Sequence, residues 1–131
     1  MKKRMKIWFC EDDETLWEMQ KESIEEYFPK ASITHFLNAG HAARSLGNPD
    51  FIIIDVGGAS ALGCNVYQLT KWNVDGLVER FPGAIFIITS DLGYYAEAAF
   101  NELKKEIQAV SRYTTEYGIG NICDIIKEHE E

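Results

Sequence analysis

An α/β fold, with a doubly wound parallel sheet of five strands in one domain, is what this 131-residue sequence predicts. Three observations carry the prediction. The runs Phe51-Ile52-Ile53-Ile54-Asp55-Val56 and Ala84-Ile85-Phe86-Ile87-Ile88-Thr89 have the composition of strands buried on both faces of a parallel sheet. Amphipathic stretches alternate with these and with shorter apolar runs, as βα units require. The length suits a single core that buries roughly two thirds of the unfolded surface.

Each element follows in order. Residues 5–10 form the first strand, and the helix after it places Leu16, Met19, Ile24, Tyr27 and Phe28 near three-to-four spacing. Asp13 can cap that helix, Glu14 suits its positive end, and Pro29 stops it. Residues 32–36 give a modest second strand, whose only large apolar residues are Ile33 and Phe36, and residues 39–46 a short helix. Gly47-Asn48-Pro49 breaks the chain before the third strand, residues 51–56. Residues 57–63 form a loop, and Val66, Leu69, Asn73 and Leu77 mark a helix that Phe81-Pro82-Gly83 ends. Residues 84–89 are the fourth strand, residues 93–105 a helix rich in Ala and Glu, and residues 107–110 a weak fifth strand. From Glu116 on, Ile119, Ile122, Cys123 and Ile126 share one helical face. Five β/α pairs of this length define a flavodoxin-like sheet.

Composition narrows the function. With 46% hydrophobic and 26% charged residues, collagen-like, disordered and disulfide-scaffold classes drop out. A net charge of -8 repels phosphate backbones and anionic membranes, so neither nucleic acid nor membrane is an expected partner. Cys10, Cys64 and Cys123 are odd in number, far apart and without CxxC spacing, which fits a reducing compartment and no zinc. No run approaches the roughly 18 apolar residues of a membrane helix, and the apolar stretch after the basic start ends at Glu11, short of a signal peptide. The expected location is the cytoplasm.

In an open parallel sheet, functional groups gather beyond the carboxyl ends of the strands. The first strand exits into Glu11-Asp12-Asp13, the third ends at Asp55, and the fourth at Thr89-Ser90-Asp91. Crowded carboxylates repel, and a hard divalent cation such as Mg²⁺ relieves that repulsion with carboxylate and carbonyl ligands. Glu11, Asp12 and Asp55 have the required character. With a metal present, an Asp carboxylate can attack a phosphoryl donor while a nearby hydroxyl holds an oxygen of the product. Asp55 is the expected nucleophile and Thr89 the hydroxyl. Taken singly, an acidic run at a helix start is more often a cap, and a Thr at a strand end is usually structural. Phosphate-loop, GxSxG and HExxH motifs are absent, and His35, His41 and His129 lack ligand spacing and read as surface or satisfied side chains. A metal-dependent phosphohydrolase would want a second carboxylate two residues beyond Asp55, where Gly57 stands, so no enzyme is expected.

On the acidic pair in Phe9-Cys10-Glu11-Asp12-Asp13, the Asp that ends Phe51 to Asp55, Gly63 eight residues later and Thr89, the chain resembles the CheY-like receiver domain of bacterial two-component response regulators over nearly its full length. The resemblance implies a (βα)5 fold, Mg²⁺ held by Glu11, Asp12, Asp55 and the carbonyl of Gly57, and phosphoryl transfer to Asp55 from a histidine kinase or phosphotransfer protein. Two departures stand out. Receivers end strand five with a Lys, and the corresponding stretch here is Val110-Ser111-Arg112-Tyr113-Thr114. Aligning Tyr113-Thr114 with the family's aromatic and Thr puts Ser111 at the Lys position, and a one-residue slip puts Arg112 there. Arg112 could balance the phosphoryl charge, although a guanidinium is bulkier than an ammonium. The loop after Asp55 keeps Gly63 but lacks the family's Met-Pro and Asp-Gly elements.

The expected function is a stand-alone phosphoacceptor that switches its affinity for a downstream protein target. A pseudo-receiver, binding a partner without phosphorylation, is the alternative. A Mg²⁺-dependent phosphatase is a third, weaker reading.

Overall fold

The computed structural model describes residues 4–11, 14–37, 39–55, 76–77, 79–89, 113–115 and 119–129, with backbone alone at 16, 39, 55, 88, 89, 113–115 and 119–121. Its strands are β1 (Lys6–Cys10), β2 (Ser32–Phe36), β3 (Phe51–Asp55), β4 (Ile85–Thr89) and β5 (Tyr113–Thr115). Its helices are α1 (Glu14–Tyr27), α2 (Ala39–Ala43) and the C-terminal α3 (Ile119–Glu128); Gly76, Leu77, Glu79 and Arg80 are helical as well. The strands form one sheet in the order β2-β1-β3-β4-β5, and every pairing is parallel. Chain order reverses at β1 beside β3, which is where an open α/β sheet forms its crevice.

Alternation along the strands sorts the core into two layers. Ile7, Phe9, Phe51, Ile53 and Ile87 face one side, where they pack with Trp17 and Ile24 of α1, with Phe28 just past its end, and with Ile122, Cys123 and Ile126 of α3. Trp8, Cys10, Ile52, Ile54 and Phe86 are the alternate residues, and they too are buried. There Trp8 meets Phe36 at 4.8 Å and the edge of Phe81 at 5.0 Å between ring centroids. Burial on both faces is why β1, β3 and β4 read as continuous apolar runs rather than alternating ones.

The amino ends of the strands are fastened by Asp50. Its carboxylate accepts from Lys6 N at 2.8 Å, its own N–H donates to the Lys6 carbonyl at 2.9 Å, and its carbonyl accepts from Ile85 N at 2.9 Å. One residue thus ties β1, β3 and β4 at the rim opposite the strand exits.

Several expectations change. Among the described residues the fifth strand is Tyr113–Thr115; the strand expected at 107–110 falls outside them. An aromatic and two β-branched threonines suit a pleated ladder. In α1 the buried stripe is Trp17, Gln20 and Ile24, continued by Phe28 just past its end, whereas Met19 and Tyr27 are exposed. Phasing the helix on its indole rotates the stripe away from Met19, because the largest apolar side chain contributes most to burial. The helix expected over 39–46 ends at Ala43, where Arg44 N and Ser45 N make three-residue turns to the carbonyls of His41 and Ala42 and Ser45 Oγ donates to His41 O at 2.8 Å. The loop at 57–63, the helix at 93–105 and the capping Asp13 lie outside the described residues. Among the described residues no helix is long and apolar enough to cross a membrane.

Candidate functional site

Because all the strands are parallel, their carboxyl ends share one rim, and the strand registers fix who stands beside whom. Cys10 pairs with Ile54, so one step further Glu11 comes level with Asp55. Asp55 pairs with Thr89, and Thr89 with Thr115. Neighbouring strands run about 4.8 Å apart. The row Glu11, Asp55, Thr89, Thr115 therefore crosses four adjacent strands at the sheet's exit edge. The expected convergence of Glu11, Asp55 and Thr89 is met at the level of the backbone. The side chains of Asp55 and Thr89, and residues Asp12, Gly57, Ser111 and Arg112, lie outside the described residues.

The span of β5 sets which residue stands at its exit. Thr115 stands beside Thr89, while Ser111 and Arg112 precede the strand in the chain rather than following it. The residue at the exit level of the fifth strand is thus a neutral threonine.

Glu11 is the best described member of the row. It is 3% exposed although it follows β1. Its N–H donates to the Phe36 carbonyl at 2.9 Å, which extends the β1–β2 ladder one step past Cys10. Its carbonyl lies 2.6 Å from His35 Nε2. A carbonyl oxygen only accepts, so Nε2 carries the hydrogen in this contact and donates it. The His35 ring is itself stacked on Trp17, with centroids 4.5 Å apart and planes 11° from parallel, and Trp17 packs against Phe9 at 5.3 Å. Sequence reading treated His35 as a satisfied side chain and missed whom it satisfies. The signal was its place in β2, one residue before Phe36, on the strand that flanks the acidic exit of β1.

Carboxylate oxygens are hard donors, the chemistry that Mg²⁺ takes, and in donor type Glu11 and Asp55 suit such an ion. Among the described residues no group of three or more His, Cys, Asp or Glu forms a metal cluster, and the further ligands expected, Asp12 and Gly57, lie outside them.

Cys10, next to Glu11, is buried, which favours its protonated thiol. Burial pushes its thiol from 9.0 up to about 12, and burial together with the Asp124 carboxylate pushes Cys123 up to about 11. The folded state holds the Cys10 proton more tightly than the unfolded chain does, so this contribution to stability is whole below pH 9 and is lost as pH rises toward 12. Between about pH 8 and about pH 10.5 the stability advantage of wild type over Cys10→Ala is expected to shrink by about 2 kcal/mol in urea titrations. A gap that does not change with pH would refute the assignment.

No family model matches the chain, and no curated protein matches it. Solved structures do. An adenylate cyclase from Rhodopirellula baltica superposes with a TM-score of 0.69 at 14% identity, covering 96% of this chain and 87% of that one. A CheY-like response regulator receiver domain protein from Methanospirillum hungatei JF-1 gives 0.65 at 16% identity, covering 98% and 94%. A response regulator from Burkholderia pseudomallei, solved with a phosphorylated aspartic acid and a calcium ion, gives 0.60 at 12% identity, covering 96% and 72%. The sheet order, the parallel pairing and these superpositions together establish that the chain has the fold of CheY-like response regulator receiver domains.

Proposed function

We propose that the chain is a signalling module of the two-component type, in which Asp55 accepts a phosphoryl group with Mg²⁺ and the modified rim changes affinity for a protein target. The observation that carries this reading is the row at the exit edge, with Asp55 between the buried Glu11 and Thr89. Support also comes from the Burkholderia regulator, which has the same fold and bears a phosphorylated aspartate.

In the transfer, an Asp55 carboxylate oxygen forms a bond to phosphorus as the bond from phosphorus to the donor's leaving atom breaks. The leaving group departs with that electron pair. Thr89 is suited to donate its hydroxyl hydrogen to a phosphoryl oxygen. Mg²⁺ held by Glu11, Asp12, Asp55 and the Gly57 carbonyl would offset the repulsion between carboxylates and phosphate. Arg112, which precedes β5 in the chain, is the candidate cation to balance the phosphoryl charge. Upstream the partner would be a histidine kinase or phosphotransfer protein, in the cytoplasm.

Incubation with acetyl phosphate and Mg²⁺ is expected to add one phosphoryl mass to wild type and none to Asp55→Asn, read by intact-protein mass spectrometry. Absence of an adduct on wild type, with acetyl phosphate and with a phosphorylated kinase, would defeat the proposal. It would also favour the second reading, a pseudo-receiver that binds its partner without phosphorylation. That reading draws on Thr115, which offers no positive charge beside Thr89 where receivers carry a Lys.

A further inference from the structure

We infer that His35 is a positioning residue for the acidic rim: it grips the carbonyl of Glu11 and thereby presets the Glu11 carboxylate for Mg²⁺. This rests on the metal site of the proposed function. The carbonyl that His35 Nε2 meets at 2.6 Å belongs to the bond that joins Glu11 to Asp12. With the Glu11 N–H held by the Phe36 carbonyl at 2.9 Å and the Glu11 carbonyl by His35, two planar peptide units fix the direction of the Glu11 side chain from both sides.

The grip is itself held. His35 is half-buried in β2, its neighbour Phe36 accepts from Glu11 N at 2.9 Å, and its ring lies flat on Trp17 at 4.5 Å. Trp17 is anchored in turn against Phe9, at the centre of the sheet. A chain of contacts thus runs from the core to the peptide between two acidic residues. Groups that orient metal-bearing carboxylates from behind commonly change metal affinity 10- to 100-fold when removed.

Two substitutions separate positioning from packing. His35→Phe keeps a flat ring for Trp17 and removes the donor; His35→Gln keeps an N–H donor at similar reach and removes the ring. Mg²⁺ titrated by calorimetry is expected to bind His35→Phe about tenfold more weakly than wild type and His35→Gln within about threefold of it. Melting temperatures measured in EDTA report packing separately. If His35 merely fills space, the ranking inverts, and equal affinity of wild type and His35→Phe overturns the inference while leaving the metal site intact. If wild type binds no Mg²⁺, both fall together. A measurement on the unaltered protein covers a variant that fails to fold: ¹⁵N spectra of the imidazole must show the hydrogen on Nε2, and the Nδ1–H tautomer would overturn the grip.

Discussion

Phe9→Ala is expected to lower the unfolding free energy by about 3–5 kcal/mol, the largest loss of any single truncation considered. Phe9 is 0% exposed, sits at the middle of β1 between His35 of β2 and Ile53 of β3, and touches Trp17 from the sheet side. Removing its ring deletes buried area and leaves a void walled by two helices and three strands, which cannot collapse without moving the sheet. Domains of this size are held by about 5–15 kcal/mol in total, so the variant sits near the folding threshold. Urea titrations followed by circular dichroism measure the loss directly. A change below about 1 kcal/mol would mean that the core is not packed as described.

The second large effect falls on a glycine. Gly47 has φ of +149°, a conformation that side chains disfavour, and a Cβ built there would lie 2.6 Å from Cζ2 of Trp8. That indole cannot step aside, because Phe36 and Phe81 pack against it. Backbone strain of about 1–3 kcal/mol and overpacking of about 1–3 kcal/mol act at the same position. Gly47→Ala is therefore expected to cost about 2–6 kcal/mol. Gly83→Ala is the control: nothing lies within 4 Å of its Cβ position, and it should be near neutral in the same denaturation assay. Trimming the indole in a Gly47→Ala, Trp8→Leu double variant should recover part of the loss, since the two residues share one clash. Strict additivity would place the cost in the backbone alone.

The sequence made the central strands legible because both faces are buried there: β3 and β4 are written as unbroken Ile and Phe, and nothing else in the chain competes for that reading. The acidic exit of β1 and Asp55 at the end of β3 could be placed at one rim from topology alone, since parallel strands leave no other choice. What was hidden depends on information that periodicity does not hold. The phase of α1 turned on Trp17 rather than Met19, and a stripe of mixed residues allows either phase until the sheet beneath is known. The fifth strand is only three residues long, and a segment that short is defined by its pairing with β4 rather than by its own pattern. His35 escaped for a similar reason, as its partner lies 24 residues away and the contact is with a backbone atom.

The polar knot at Asp50 has a consequence for how such a protein can vary. Its hydrogen bonds clamp three strands from below, while the acidic row occupies the top. Mechanical integrity and chemistry are thereby assigned to opposite poles of the sheet. Residues along the upper edge can therefore change while the open sheet keeps its footing.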